Sequence, residues 1–476
     1  MTRPAQPPTT PSFDPAAAFD PPTRSAVAAV GAAANGLSID VYFVGGVPRD
    51  LLLRRPIGHD LDIVAVGDAI ALAGRLAAAA GGAVVAHPRF GTATWRHGEI
   101  SIDLVTARRE SYDRPGALPI ITPGTLDDDL ARRDFTINTL AFAIDAGGFG
   151  PLIDRHGGRA DVMDGVVRVL HPRSFVDDPT RIVRAVRAEA RFGFRMDEPT
   201  AAAARAAAGG LATLSAARLR NELLRLFAEP AVASAIERLA SLGALGAGGA
   251  FGAPSDPGDG GEGGDGWWTA SNVERILRRL SEREQHQEQE QEQENVATSL
   301  PRLLAWLAAG GADGVRAGER LRLDRVAARD LATAASLAAD RVLVDPRTPT
   351  SETNARIARG KPSPRALRIA LAAAREDSAR GRIDRYALDG SARPLPVDGH
   401  DLVALGVPPG ARVGELLSRL RAAWWDEVVN SRDEALTYAA RLADTDLEDN
   451  DRGADAADAL GDAHGSATRG GPPAVL

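Results

Sequence analysis

Hydrophobic and polar positions follow strand-like and helix-like spacings in turn over the first part of the chain. The apolar run 41–44 predicts a strand that ends at Gly45 and Gly46 and leads into a short helix. The next run, DLDIVAV, predicts a second strand in which Asp60 and Asp62 occupy alternate positions. Because alternate side chains of a strand share a face, both carboxylates can converge on one point.

The same part of the chain contains the other elements of an α/β domain. Asp68 is a candidate N-cap for a helix over 69–80, which Gly81 and Gly82 end. An Ala-rich helix is expected over 24–34, and strand-like runs cover 83–86, 90–96 and 100–106. This alternation predicts a domain over 23–151 with a small mixed sheet.

The rest of the chain is predicted to be mostly helical. Apolar residues recur at helical spacing between 175 and 227, and helices are expected over 300–339 and 365–375. The segment PLPVDGHDLVALGVPPGARVGELLSRLRAAWW predicts a loop, a short helix, a Pro-Pro-Gly turn and another helix. The predicted fold class is therefore α+β, with helical regions over 152–244 and 296–443.

Three segments have a composition that is typical of linkers or disorder. Residues 1–22 are rich in proline and threonine, and residues 444–476 are acidic, so we expect both termini to be disordered. Between them, residues 245–295 combine a Gly/Asp/Pro/Ser tract, a helical piece over 272–280 and the repeat EQHQEQEQEQE. We expect a linker or insertion there.

Charge and composition limit the classes of function. The net charge is −8, but residues 255–295 carry −7 and residues 442–476 carry −6, which leaves +5 for a remainder that can bind phosphates. The absence of cysteine excludes disulfides and thiolate metal sites. The chain has no apolar run of about 18 residues and no apolar signal-peptide core. We therefore expect a soluble, cytoplasmic protein with no membrane partner.

Asp60 and Asp62 are candidate magnesium ligands. Hard carboxylate oxygens on one strand face suit the pair of Mg²⁺ ions used for in-line phosphoryl transfer. An isolated Asp-x-Asp pattern is more often a solvated surface. Here, however, the neighbours Leu61, Ile63 and Val64 are apolar, which favours a compensating cation.

The turn at Gly45 and Gly46 is a candidate phosphate site. Glycines between a strand and a helix let backbone N–H groups approach a phosphate, and the helix N-terminus adds partial positive charge. Arg49 would add a cation. Asp50 is also compatible with a purely structural role, and an ordinary tight turn is the alternative for the whole motif.

The segment RRDFTIN, residues 132–138, places two adjacent arginines beside an aspartate. Adjacent arginines cannot share one helix face, so one can reach a triphosphate while the other pairs with Asp134 or Asp129. A solvated cluster of salt bridges is the alternative.

In DDPTRIVRAVR, Asp178 precedes a helix start at Pro179, and Arg181, Arg184 and Arg187 recur every three residues. A carboxylate and an arginine placed in this way can present an acceptor and donors to a base, while other arginines meet phosphates. An exposed basic helix face is the alternative.

Taken together and in this order, GGVPRD, DLD, FGTATW, IDLVTAR, LDDDLARRDFTINTLAF and SFVDDPTRIVRAVRAEARFGF resemble the class II tRNA nucleotidyltransferase and bacterial poly(A) polymerase family. The resemblance is continuous over about 41–227, and GHDLVALGVPPGARVGELL is similar to the distal helical region of the family. It implies a polymerase-beta-like nucleotidyltransferase head (23–151), followed by a neck (152–244) and a helical body and tail (296–443).

The resemblance also implies roles for individual residues. Asp60 and Asp62 match the metal-binding carboxylates, and Asp178 and Arg181 match the pair that recognises the Watson–Crick edge of CTP or ATP. Asp103 is a candidate third metal ligand, with a structural role equally open. The other candidates for nucleotide binding are Gly45, Gly46, Arg49, Asp50, Arg133, Asp134, Asn138, Arg184 and Arg187. The implied reaction is attack by an RNA 3′-hydroxyl on the α-phosphate with release of pyrophosphate.

Several activities share this chemistry. The resemblance implies a tRNA partner, bound through its 3′ end and acceptor stem, and Mg²⁺ as cofactor with CTP and ATP as substrates. The chain could add CCA, CC only, A only or poly(A). Residues 110–123 match a flexible loop that governs the change from C to A addition, but their sequence does not discriminate. The acidic tail favours tRNA over polyadenylation. From another class, a catalytically silent RNA-binding protein on this scaffold would have no need of paired carboxylates.

Overall fold

The computed structural model describes residues 15–111, 119–145, 148–246, 249–251, 269–284, 295–390 and 394–443. These divide into two compact units. The first contains the described residues within 1–275, 289–303 and 319–322, and the second contains those within 276–288, 304–318 and 323–476.

A seven-stranded mixed sheet forms the head of the first unit. Its strands are β1 Asp40–Val44, β2 Asp60–Val66, β3 Ala83–His87, β4 Thr92–His97, β5 Ile100–Thr106, β8 Leu140–Asp145 and β9 Gly148–Asp154. Their order is β3-β4-β5-β2-β1-β8-β9, with β2 and β5 parallel and each other neighbouring pair antiparallel. The small mixed sheet expected from the sequence is confirmed.

Side chains alternate between the two faces of the central strand β2. On β2, Leu61, Ile63 and Ala65 are buried in the core that the sheet shares with two helices, α1 (Pro21–Asn35) and α3 (Ala69–Ala80). Burying a leucine or isoleucine side chain stabilises a fold by about 1.5–3 kcal/mol. Asp60 and Asp62 lie on the opposite face of β2, where Val64 is buried in a smaller core with Val44 and Leu130.

The helix ends follow the sequence signals. The Asp68 carboxylate accepts hydrogen bonds from the backbone N–H groups of Ile70 and Ala71, which caps α3, and Gly81 ends that helix with φ +75°. The head also contains α2 (Gly46–Leu52) and α4 (Leu126–Ala131). Helix α5 (Gly158–Asp164) lies past the expected boundary at residue 151 but packs against α2 of the head.

Four details of the head differ from the sequence expectations. Residues 15–22 are structured: Phe19 is buried and stacks on Phe43 and Phe149, whereas residues 1–14 lie outside the described chain. Pro88–Phe90 form a 3₁₀ turn, so β4 begins later than expected. β9 extends past 151. The two ends of the predicted flexible loop form antiparallel strands, β6 (Arg108–Ser111) and β7 (Ile120–Pro123). Residues 112–118 of this loop lie outside the described chain.

The neck follows in the same unit. It consists of α6 (Ser174–Asp177), α7 (Thr180–Phe192), α8 (Glu198–Ala207), α9 (Ala216–Phe227) and α10 (Val232–Ser241). It is not entirely helical, because β10 (Val166–Val167) pairs in parallel with β11 (Arg195–Met196). Helix α7 packs against α9 and α10.

The second unit is helical, as expected, in the residues that the structure describes. Its core includes a separate cluster around Leu402, Leu416, Leu420 and Trp424, where the Pro-Pro-Gly turn joins two helices. The later helices, some of which belong partly to the first unit, are α11 Ala270–Glu284, α12 Asn295–Ala309, α13 Gly311–Arg320, α14 Arg325–Ala338, α15 Arg341–Val344, α16 Thr350–Arg359, α17 Pro364–Ala373, α18 Asp377–Arg385, α19 Gly399–Ala404, α20 Ala411–Trp425 and α21 (432–443).

Most of the low-complexity sequence lies outside the described residues, including 252–268, 285–294 and 444–476. The expectations of a linker and of an acidic disordered tail therefore stay predictions. Within the described ranges, none of the helices has the length and apolar character needed to cross a lipid bilayer.

Candidate active site

A cavity of about 710 Å³ in the first unit brings most of the predicted site residues together. Side chains from the head line one part of it, and side chains from α7 and α9 line another. The predicted residues that line it are Gly45, Gly46, Arg49, Asp62, Arg133, Asp134, Asn138, Asp178, Arg181 and Arg184. Four other predicted residues are not among its lining residues: Asp50, Asp60, Asp103 and Arg187.

The carboxylate strand lies at the head side of this cavity. Asp60 and Asp62 are on the same exposed face of β2, and Asp62 is paired in register with Asp103 on β5. Loss of surrounding water through burial raises the pKa of the Asp62 carboxyl, and the negative charges of Asp103 and Asp60 raise it further. The positive charge of Arg133 acts on this pKa in the opposite direction. A bound cation would relieve this repulsion, so the two strand aspartates fit Mg²⁺.

Asp103 has a different environment. Its carboxylate accepts a hydrogen bond of 2.5 Å from the Thr94 hydroxyl on the neighbouring strand. In the described residues, no group of three or more His, Asp or Glu side chains is arranged to hold a metal ion. The role of Asp103 as a third metal ligand therefore stays a prediction.

Gly45 is favoured by its backbone conformation, and a side chain there would also meet Arg133. Its φ is +79°, in the region that L side chains rarely adopt, and a Cβ there would lie 2.7 Å from Nη1 of Arg133. The turn therefore lets a guanidinium approach the backbone at the start of α2. This is the place where the sequence predicts a phosphate.

Arg132 and Arg133 share one fully buried carboxylate. Asp129 accepts from Arg132 Nη2 at 2.6 Å on Oδ1 and from Arg133 Nη2 at 2.9 Å on Oδ2. Arg132 also donates to Glu110 at 3.1 Å. We expected one of the two arginines to pair with Asp129 or Asp134. In fact both pair with Asp129, because its two oxygens can serve two planar guanidinium groups at once.

Asp134 instead connects the head to the neck. Arg184 of α7 donates to its Oδ2 from Nε at 2.8 Å and from Nη2 at 2.6 Å. Asn138 donates to its Oδ1 at 2.8 Å and in turn accepts from Arg49 Nη1 at 2.7 Å. The charge of Asp134 raises the pKa of Arg184. Arg49 also donates to Asp50 at 2.9 Å, so the Asp50 carboxylate is engaged in holding Arg49.

Asp178 and Arg181 lie at the start of α7. Asp178 Oδ1 accepts from the Thr180 backbone at 3.0 Å and from Arg218 Nη2 at 2.7 Å. Arg181 is 6% exposed and donates to the Ser174 hydroxyl and to the Arg132 carbonyl, both at 2.7 Å. These contacts fix both groups at the cavity wall before a ligand is bound.

Arg184 and Arg187 turn toward Glu222 on α9. Glu222 is 7% exposed, and Arg187 Nη1 donates to its Oε2 at 3.4 Å. Arg187 lines a smaller neighbouring cavity together with Arg49 and Arg184. Of the three α7 arginines, Arg181 and Arg184 thus line the main cavity and Arg187 does not, and their contacts with a ligand stay a prediction.

Family models match two parts of the chain. The Poly A polymerase head domain matches residues 41–168, and the probable RNA and SrmB-binding site of polymerase A matches residues 193–247. A CC-adding tRNA nucleotidyltransferase of Geobacter sulfurreducens is 31% identical over 415 residues, which cover 84% of this chain and 91% of the relative. The chain belongs to the tRNA nucleotidyltransferase family.

A-adding members of this family are also similar to the chain. An A-adding tRNA nucleotidyltransferase of Halalkalibacterium halodurans is 42% identical over 218 residues, 45% of this chain and 51% of the relative. Across three A-adding relatives, the chain spans about half of the length or less, at 51%, 19% and 47%.

Solved structures of CCA-adding enzymes share the fold. One apo form has a TM-score of 0.71 and 28% identity, covering 89% of this chain and 96% of that one. The Thermotoga maritima CCA-adding enzyme complexed with tRNA_CCA has a TM-score of 0.66 and 27% identity, covering 89% and 96%. The nucleotidyltransferase head and the helical regions expected from the sequence are thus confirmed.

Sequence reasoning missed one wall of this cavity. Four polar residues of α9 line it, and they are spaced at intervals of three, one and three. This spacing places them on one helix face, opposite buried leucines. The signal was present in RLRNELLR as a polar stripe, and it could have been found. The residues are Arg218, Asn221, Glu222 and Arg225.

Proposed function

We propose that this chain is a template-independent tRNA nucleotidyltransferase that adds C, A or both to the tRNA 3′ end from CTP and ATP. The observation that carries the proposal is the shared cavity. It places the Asp62 carboxylate, the Gly45 turn and the Asp178–Arg181 pair around one volume. A nucleoside triphosphate has three parts with matching chemistry, namely the reacting phosphate, the phosphate tail and the base.

The head residues suit the phosphate end. Gly46 begins α2, and the guanidinium groups of Arg49 and Arg133 lie beside this turn. Backbone N–H groups at a helix start and planar guanidinium groups both favour phosphate oxygens. These groups orient the triphosphate and neutralise the charge of the departing pyrophosphate.

The neck residues suit the base. The contacts that Asp178 makes with described residues all go to Oδ1, so Oδ2 is available as an acceptor. Cytosine and adenine both carry an exocyclic amino donor, whereas an acceptor oxygen would face Asp178 in uracil or guanine. Arg181 supplies N–H donors to the ring nitrogen beside that amino group. A fixed carboxylate and guanidinium can therefore select C and A without a template.

Asp60 and Asp62 would hold Mg²⁺. When bound, the metal would polarise the α-phosphate and lower the pKa of the attacking tRNA 3′-hydroxyl. Of the two, Asp62 lines the cavity and would hold the metal beside the reacting phosphate, with Asp60 on the same strand face. The balanced reaction is formation of a bond between the 3′-oxygen and the α-phosphorus, with breakage of the bond to the β-phosphate and loss of the hydroxyl proton to solvent.

A specialist that adds only A or only CC is the second candidate. A-adding and CC-adding relatives are both similar to this chain. Two A-adding relatives are 42% and 48% identical to it over short matched segments. Poly(A) addition and silent RNA binding on the same scaffold are separated from these by the assay below.

The test uses purified protein with Mg²⁺ and three tRNAs, which lack the whole CCA end, lack the terminal A only, or are complete. CTP and ATP are supplied separately and together. A CCA-adding enzyme extends the first two and stops, whereas an A-adding enzyme extends only the second. Long ladders on the complete tRNA indicate polyadenylation. Absence of extension with retained tRNA binding would overturn the proposal in favour of a silent binder.

A further inference from the structure

One phosphate-end residue is held by an aromatic ring from the neck. The Arg49 guanidinium carbon lies 4.3 Å from the centroid of the Phe192 ring, which is the last residue of α7. Arg49 is 8% exposed, and its guanidinium N–H groups donate to Asp50 at 2.9 Å and to Asn138 at 2.7 Å. The hydrogen bonds thus hold the N–H edge of the Arg49 guanidinium, and the Phe192 ring packs against the plane of that group.

The ring serves more than one cation. Arg55 lies 5.3 Å and Arg191 lies 5.4 Å from the same centroid. All three distances are within the range of a cation–π attraction, which is strongest for a guanidinium that has lost part of its water. Arg49 is both the closest of the three and the buried one, so it gains most from the ring.

We propose that Phe192 is a positioning residue that orients Arg49 toward the triphosphate through its π face. This inference rests on the proposed function. It assigns the two ends of α7 to different tasks, with Asp178 and Arg181 selecting the base and Phe192 supporting the phosphate end. Loss of the π face should therefore weaken triphosphate binding equally for CTP and ATP.

Electron-withdrawing substitution separates this role from simple packing. Replacing ring hydrogens by one, two and three fluorines reduces the negative charge of the ring face stepwise, while the volume changes little. Phe194 is the matched control, because its ring lies 5.5 Å from that of Phe192 and is buried. Among the described contacts no guanidinium lies over the Phe194 ring.

The experiment measures kcat and KM for CTP and ATP on tRNA with mono-, di- and trifluorophenylalanine at position 192 or 194 of the full chain. At position 192 we expect KM to rise stepwise, by about 2- to 30-fold in total from the usual strength of a cation–π contact. The CTP to ATP ratio and the melting temperature should stay constant, and the series at 194 should be flat.

The inference would be overturned, with the proposed function left intact, by any of three results. These are a KM that does not change with fluorination at 192, an equal rise in KM at 194, or a changed ratio of the KM values for CTP and ATP. Binding of inorganic tripolyphosphate, measured by calorimetry, gives a readout that needs no transfer reaction. If the wild-type chain transfers no nucleotide, the proposed function fails. A stepwise loss of tripolyphosphate affinity at 192 would still support the role of Phe192, and a constant affinity would refute it.

Discussion

Replacing Asp129 by asparagine tests whether one buried carboxylate holds both cavity arginines of the RRD segment. The Asp129 carboxylate is fully buried and accepts from Nε and Nη2 of both Arg132 and Arg133, at 2.6–3.3 Å. An amide keeps the shape, but its NH₂ group would face one guanidinium, donor against donor. Hydrogen bonds to charged groups contribute about 1.5–3 kcal/mol, and breaking a buried pair costs about 3–5 kcal/mol.

Both arginines retain some exposure, at 17% and 19% of their side chains, so solvent can compensate in part. We therefore expect Asp129→Asn to lower the free energy of unfolding by about 3 kcal/mol, at the low end of that range. Urea denaturation at pH 7 measures this loss. Asp127→Asn on the same helix is the control. Asp127 and its partner Arg155 are both exposed, so this substitution should change the free energy of unfolding by no more than the experimental error.

The pH dependence gives a second readout of Asp129. Burial raises its pKa, but the charges and hydrogen bonds of Arg133 and Arg132 outweigh burial and lower it overall. A carboxylate with a lowered pKa stabilises the fold above its unfolded pKa, about 3.9, and loses that contribution as the pH falls through the folded pKa. The difference between wild type and Asp129→Asn should be full at pH 7 and shrink below about pH 4. An Asp129→Asn effect no larger than that of Asp127→Asn would refute the reasoning.

Three further substitutions test other parts of the site. Asp60→Ala should abolish nucleotide incorporation yet leave tRNA affinity largely intact in a filter-binding assay, and unchanged incorporation would exclude the metal assignment. Gly45→Ala should lower the free energy of unfolding, measured in urea, by about 1–3 kcal/mol and reduce kcat/KM, because a methyl group would lie 2.7 Å from Arg133. Gly98→Ala is the control, because Gly98 has φ +61° but nothing within 4 Å of an added Cβ, so it shares only the backbone strain. Arg218→Met should release Asp178 and change the CTP to ATP selectivity, whereas Arg220→Met, outside the cavity, should leave selectivity unchanged.

Much of the head could be predicted from the sequence because its signals are local. The β2 aspartates followed from strand alternation, and the α3 boundaries followed from Asp68 and Gly81. The structured residues near Phe19 could not be predicted in this way. Their order depends on stacking against Phe43 and Phe149, which are distant in sequence.

The pairing of charges was harder to predict than the residues involved. Arg133, Asp134 and Arg184 were all identified, but several pairings were compatible with their spacing. The observed one, Asp134 with Arg184, joins residues 50 positions apart and depends on how α7 packs against the head. The polar stripe of α9 was visible in the sequence, but its spacing did not show that Glu222 would accept from Arg187 of α7.

A crystal structure of the protein with CTP or ATP tests the central claim most directly, namely that one cavity holds both ends of the nucleotide. The account predicts the triphosphate beside Gly46, Arg49 and Arg133, with the base edge against Asp178 and Arg181. A nucleotide bound outside this cavity, or one whose base points away from α7, would contradict it.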